Sequence, residues 1–171
     1  FYAGFDGNVT AKTAAGDLAG ELKGMAAHFE PGLRGQALRA GDGEPFVEYP
    51  AKGLLTTPEG SVELWVKPLD WTAPCWGFHL FFRADGPQDA CLLVYKFGHM
   101  SGSVLAYLSA KDFKPANALQ PPDHPFAAGR WRHLIATWNR EALCLYVDGV
   151  RIKPTALAKP FDLAFERFAI G

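Results

Sequence analysis

Residues 131–153 read WRHLIATWNREALCLYVDGVRIK, and this stretch decides the fold. Asp148-Gly149 stands between two runs of alternating apolar residues. A two-residue type I′ turn needs φ > 0 at both positions, and Asp-Gly is among the pairs that supply it most readily. Pairing outward sets Val147 against Val150, Tyr146 against Arg151, Leu145 against Ile152 and Cys144 against Lys153. Leu143, Leu145, Val147, Val150 and Ile152 then share one face and Cys144, Tyr146, Arg151 and Lys153 the other, as a half-buried antiparallel sheet requires. Upstream, Leu134, Ala136 and Trp138 alternate against Arg132, His133, Ile135 and Thr137, and the short link from Asn139 to Ala142 predicts a second hairpin. The stretch specifies a three-strand meander.

Outward from it the same period of two recurs. Ser61 to Lys67, SVELWVK, turns Val62, Leu64 and Val66 one way and Glu63, Trp65 and Lys67 the other, and Pro68 ends it. Gly77 to Arg83 and Cys91 to Phe97 form a hairpin around Asp85-Gly86-Pro87, with Phe78, Leu80 and Phe82 alternating against His79, Phe81 and Arg83. In that hairpin Cys91 is expected opposite Arg83. Phe1 to Phe5 reads as a first strand, Phe46 to Tyr49 as a short edge strand bracketed by Pro45 and Pro50, Val104 to Leu108 as another, and Phe165 to Ile170 as the last. Lys111 to Gly129 is too broken by proline for helix or ladder. No segment carries a sustained 3.6-residue period, and no repeat of fixed length points to a propeller. The expectation is an all-β, two-sheet antiparallel jelly-roll sandwich.

The chain has 171 residues, the length of one domain with a sizeable core. Its 49% hydrophobic and 20% charged residues exclude disorder, and no apolar run approaches the ~18 residues of a spanning helix. Seventeen basic and eighteen acidic residues give a net charge of −1, with no basic cluster to follow a phosphate backbone, so nucleic acid is not an expected partner. Cys75, Cys91 and Cys144 form no CxxC, and a Cys75–Cys91 bridge stays open. The chain opens FYAGFDG, without an initiator Met or signal peptide, and is expected to be a piece of something longer.

GQAL (Gly35 to Leu38), SVELWVKP (Ser61 to Pro68) and GRWRHLIATW with LCLYVDG (Gly129 to Trp138 and Leu143 to Gly149), with FDG at Phe5 to Gly7 and a closing FAIG, resemble the laminin-G-like, concanavalin A-like jelly-roll domains. The resemblance covers nearly all of residues 1–171, taken as a single domain. It implies two antiparallel sheets packed face to face, one concave, a role in carbohydrate or protein recognition, and an extracytoplasmic setting. Many such domains hold calcium, for which Asp6, Asn8, Asp85 and Asp148 stand at turns with free carbonyls. Family members continue past the equivalent of Ile170-Gly171 into a closing strand, so this piece is expected to lack that strand or to receive it from elsewhere.

Chemistry is harder to find. Retaining glycosidases of the wider superfamily need two carboxyl groups ~5–5.5 Å apart, near the spacing of alternate strand residues. Glu63 has only Ser61 and Trp65 at those positions, so it lacks a partner. No GxSxG elbow is present. His28, His79, His99, His124 and His133 never occur as HxH or HxxxH, and His133 reads as a framework histidine beside Trp131. No catalytic residue is assigned.

Sugar binding has more to stand on, because carbohydrate sites pair aromatic platforms with a few orienting polar groups. Trp71 and Trp76 lie in a connection, and Glu63, His79, Arg83 and Lys96 fall opposite the main apolar stripes of their strands; together they are the candidate carbohydrate-binding residues. If those strands are neighbours, the polar residues line one sheet face. The expected function is a non-catalytic recognition module with a polysaccharide or glycan as partner. The alternatives are a structural or protein-interaction domain whose concave face is covered by a neighbouring domain of the same protein, and, more distantly, a glycoside hydrolase relative.

Overall fold

The Asp148-Gly149 turn forms where the sequence places it, with φ of 50° at Asp148 and 80° at Gly149. Val147 pairs with Val150 and Tyr146 with Arg151, and the Ile152 N–H donates to the Leu145 carbonyl at 2.8 Å. The computed structural model describes residues 1–69, 77–97, 103–120 and 127–171, and among these there is no helix.

The early strands are short: β1 (Thr10–Thr13), β2 (Gly16–Ala19), β3 (Glu21–Lys23), β4 (Phe29–Pro31) and β5 (Gln36–Leu38). The longer ones follow as β6 (Phe46–Pro50), β7 (Gly60–Val66), β8 (His79–Asp85), β9 (Cys91–Lys96), β10 (Val104–Ala110) and β11 (Phe113–Leu119). The meander supplies β12 (Arg132–Trp138), β13 (Ala142–Val147) and β14 (Val150–Arg151), and then come β15 (Thr155–Ala156) and β16 (Arg167–Ile170). One antiparallel sheet has the order β11-β10-β9-β8-β16-β6-β3, the other β14-β13-β12-β7 with β15 added beside β13. Hairpins β1-β2 and β4-β5 stand apart from both.

The two sheets bury their inner rows against each other. Val47, Tyr49, Phe82, Ala84, Leu92, Val94, Ala106 and Leu108 come from the larger sheet, and Leu134, Ala136, Trp138, Leu143, Leu145 and Val147 from the smaller. Each large apolar side chain removed from water contributes roughly 1.5–3 kcal/mol. Phe168 explains why β16 takes a central place: its ring stacks on Tyr49 of β6 and on Phe82 of β8, with centroids 5.4 and 5.5 Å away. Phe161 and Phe165 close one side of the core, edge-on to Phe113 and Trp138 respectively. The FDG and GQAL pieces meet as well, the Asp6 carboxylate accepting the Gln36 N–H at 2.7 Å.

Several expectations are corrected. Phe46–Pro50 is no edge strand: it lies between β16 and β3, and its two prolines sit at or outside its ends, where no ladder donor is lost. β16, next to it, is an interior strand as well, hydrogen-bonded to β6 on one side and β8 on the other. Phe1 to Phe5 contributes only the isolated Tyr2–Lys12 bridge, and the first hairpin comes instead from Thr10 to Ala19. The proline-rich stretch contains a seven-residue strand, β11, because Pro115 stands on the sheet's outer strand beside a bulge, where a missing N–H is tolerated. Val150 is 65% exposed, beyond the rim of the core, and after Ile152 the ladder resumes one residue out of step, Leu143 opposite Thr155.

The most consequential correction is a bulge in β8. Leu80 pairs with Tyr95, but the next partner of β9 is taken by Phe82, so Phe81 is the extra residue. Phe81 packs against the core, while Leu80 shares the outward face with Arg83. Between the bulge and the turn, Cys91 stands opposite Asp85 and not Arg83, and Arg83 stands opposite Leu93.

Candidate functional site

The outward face of the larger sheet carries a trench, and β16 makes it. Going outward along this strand the sequence places Arg167, Ala169 and then Gly171, a long residue followed by two of the smallest. Ala169 is flanked across the ladder by Arg83 on β8 and Glu48 on β6. The walls therefore rise where the floor stays low. A cavity of about 310 Å³ results, lined by Phe46, Glu48, Leu80, Arg83, Asp85, Arg167, Ala169 and Gly171. Position 171 has no room for a side chain, since a Cβ there would lie 2.8 Å from Cβ of Phe46, and its φ of 137° suits glycine.

Charged groups cross the trench in an alternating series. Arg83 Nε donates to both oxygens of Asp85, at 2.9 and 2.8 Å, and this hydrogen bond holds the guanidinium's pKa above its usual value. Arg167 Nε lies 3.9 Å from Glu48 Oε1 and 4.0 Å from Asp85 Oδ2, reaching both walls. Lys23 pairs with Glu48 at 3.5 Å and with Glu21. The two guanidinium side chains remain more than half exposed, so they can still meet a ligand. Next to Asp85 the Cys91 thiol is pushed up, by burial first and then by that carboxylate, which keeps it protonated near neutrality.

The rest of the trench is apolar. Phe46, 40% exposed, forms one wall and Leu80 the other. Beyond Leu80 its ladder partner Tyr95 meets the Phe78 ring, centroids 4.7 Å apart. An apolar slot ending in paired donors and acceptors matches a small polyhydroxylated ligand, whose C–H faces seek aromatic and aliphatic walls and whose hydroxyls both donate and accept.

The residues singled out from sequence are dispersed. Arg83 is in the trench. Glu63 is on the other sheet: β7 pairs with β12 and with no strand of the larger sheet, so the condition that these strands be neighbours fails for it. There Glu63 Oε1 lies 2.7 Å from His133 Nε2, and the His133 ring stacks on Trp65 at 4.5 Å with planes 16° apart. His133 is thus a framework residue, though beside Trp65. His79 and Lys96 are ladder partners, and Lys96 is fully buried, its Nζ donating to the Gly77 carbonyl at 2.6 Å. Trp71, Trp76 and Cys75 lie outside the described residues.

Sequence reading missed Phe46, Glu48, Asp85 and Arg167. The usable signal was R-F-A-I-G at 167–171, where the outward positions shrink from Arg to Ala to Gly while the inward ones stay large. The turn residues considered for calcium have other duties: Asp6 receives Gln36, Asn8 Oδ1 receives the Thr10 N–H at 2.9 Å, and Asp85 holds Arg83. Asp148 accepts the His133 N–H and pairs with Arg132, both at 2.9 Å. Among the described residues no group of three or more His, Cys, Asp or Glu side chains is placed to hold a metal ion. Among them, too, no helix is long and apolar enough to cross a membrane.

Comparison with known proteins gives a family and a fold. The family described as the concanavalin A-like lectin/glucanases superfamily matches residues 41–171. No curated protein matches. Among solved structures, domain 4 of AbnA, a GH43 extracellular arabinanase from Geobacillus stearothermophilus in complex with arabinotriose, superposes with a TM-score of 0.71 at 21% identity, covering 99% of this chain and 81% of that one. Domains LG4-5 of the mouse laminin alpha1 chain give 0.59 at 10% identity, covering 74% of this chain and 31% of that chain. A Bacillus licheniformis beta-glucanase gives 0.52 at 15%, covering 94% and 67%.

Proposed function

The chain belongs to the concanavalin A-like lectin/glucanases superfamily, and from that premise we propose that it is a non-catalytic recognition module binding carbohydrate in the trench over β16, within a larger extracytoplasmic protein. The observation that carries this reading is the low floor of Ala169 and Gly171 between an apolar pair of walls and a charged end. Sugars bind in such places because a hydroxyl-rich ring has both kinds of surface. The arabinotriose held by a domain of the same fold supports the ligand class, and that domain's parent, an extracellular enzyme, supports the setting.

The carboxylates of the trench are arranged for binding and not for a retaining dyad. Alternate strand positions around Asp85 and Glu48 hold Arg83, and Phe46 with Pro50, so neither has the same-strand partner that such chemistry uses. Each instead faces an arginine. Trp71 and Trp76, the aromatic candidates of the sequence, lie outside the described residues and enter the test as variants.

The test is calorimetric titration of the chain with arabino-, xylo- and laminari-oligosaccharides, alongside Ala169→Leu, Trp71→Ala and Trp76→Ala. The expected result is saturable binding of one class that is lost when leucine fills the floor, with thermal unfolding unchanged. Equal binding by wild type and Ala169→Leu would move the site elsewhere, and binding of none would remove the carbohydrate reading.

A second reading, a structural or protein-interaction domain, is favoured by the outer face of the smaller sheet. Trp65 is 49% exposed there, held flat on His133, and it shares that face with Ile135 and Tyr146. A neighbouring domain covering this face would shift Trp65 emission to shorter wavelength in the longer protein.

A further inference from the structure

We propose that the site continues from the trench across the larger sheet to β11, so that an oligosaccharide lies over the strands and uses Tyr107 as a second platform; this rests on the carbohydrate reading above. The ladders bring one outward residue from each of six strands into a single row: Glu48 of β6, Ala169 of β16, Arg83 of β8, Leu93 of β9, Tyr107 of β10 and Asn117 of β11. None of them belongs to the buried core, which takes their strand neighbours Phe168, Ala84, Leu92, Leu108 and Ala118. The trench is one end of this row.

The row runs between unlike banks. On one side Leu80, Tyr95, Leu105 and Leu119 are ladder partners in succession. Tyr95 and Leu105 are buried although they lie outside the core between the sheets, and the Phe78 ring meets Tyr95, so this bank stands high and apolar. On the other side Arg167, Asp85, Cys91 and Ser109 follow one another across the same strands and are polar. Arg83 does not close the way between them. Its Nε is held to both oxygens of Asp85, two residues along its own strand, which draws the guanidinium towards the polar bank and leaves its aliphatic stem in the row.

Sugar rings turn C–H faces to aromatic and aliphatic surface and hydroxyls to polar groups, and the two banks supply both along the whole row. A sugar unit has about the length of one inter-strand spacing, ~4.8 Å, and the five spacings from β6 to β11 come to about 24 Å, so a chain of roughly five units fits. Tyr107 is half-buried and stands two strands from Arg83, with Leu93 between them as the floor for one unit. Asn117 is exposed on the outermost strand, where its amide both donates and accepts.

The experiment titrates the chain calorimetrically with the biose, triose, tetraose and hexaose of arabinose, xylose and glucose. Wild type is compared with Tyr107→Ala, Tyr107→Phe and Asn117→Ala, each with its thermal unfolding recorded; Asn117→Ala, at an exposed position, decides the matter if Tyr107→Ala does not fold. In the series that binds, the hexaose should be at least about tenfold tighter than the biose. Tyr107→Ala should remove that gain, lowering the hexaose about tenfold and leaving the biose within about threefold. Tyr107→Phe, which keeps the ring, should restore it, and Asn117→Ala should weaken the hexaose alone. Equal affinity for biose and hexaose in wild type, a gain with length that survives these substitutions, or an equal loss of both ligands in Tyr107→Ala would each overturn the extended site and leave the trench standing. Absence of binding throughout would instead overturn the carbohydrate reading beneath it.

Discussion

Gly60 stands directly across the ladder from Trp138, and the indole fills the space that a side chain at position 60 would take. A Cβ added there collides with the six-membered ring of Trp138, whose Nε1 is tied to the Thr56 carbonyl at 3.3 Å. Gly60→Ala should therefore destabilise the chain by about 1–3 kcal/mol through overpacking alone, read as a lower urea midpoint with an unchanged slope. An unchanged midpoint would show that the indole yields freely.

Tyr49 is 1% exposed, its hydroxyl donating to the Val9 carbonyl at 2.8 Å, and burial pushes its pKa up to about 12 from an ordinary 10. The unfolded chain then loses this proton before the folded one does. Stability is full below pH 10 and declines as pH rises through 12, by on the order of 2 kcal/mol. Urea melts from pH 9 to 12 should show this loss in wild type and a shallower one in Tyr49→Phe, which itself costs about 1 kcal/mol for the missing hydrogen bond.

Asp148 has three tasks: the positive φ of the turn, acceptance of the His133 N–H, and the ion pair with Arg132. Asp148→Ala removes the last two and strains the first, for an expected loss of about 1–3 kcal/mol. Asp148→Asn, which tolerates the left-handed conformation and keeps an acceptor, should recover most of it, because a pair this exposed is worth ~1 kcal/mol or less. Thermal or urea unfolding of the two variants side by side checks the order.

Glu63 and Arg83 lie on opposite sheets, so their effects on ligand binding should separate. Arg83→Ala should lower affinity for a trench ligand at least about tenfold, whereas Glu63→Gln should stay within about threefold of wild type. Calorimetry on both variants with the same oligosaccharide decides this. A comparable loss from Glu63→Gln would place binding on the face that carries Trp65.

The meander was legible because three independent signals agree there: Asp148-Gly149 for the turn, period-two alternation from Leu134 to Val147, and the short link at Asn139. The site was less so. Alternation read straight through His79 to Arg83 put Phe81 on the wrong side, since nothing in the local composition announces the extra residue at Phe81 that switches the faces. Strand order was also beyond local reading. That Arg167, Glu48 and Asp85 meet depends on β16 inserting between strands distant in sequence, driven by Phe168 fitting between Tyr49 and Phe82. Propensity sees Pro115 as a breaker and cannot see that its strand is outermost.

The position of β16 also sets an order of events during synthesis. A ribosome releases β6 and β8 well before the residues that must lie between them, so a nascent chain holds its larger sheet as two unjoined fragments until Arg167 to Ile170 emerge. Such late, long-range closure makes for slow folding and for open strand edges in the interim. It also means that the trench floor and the sheet are completed in one step, so that a partly made chain has no trench.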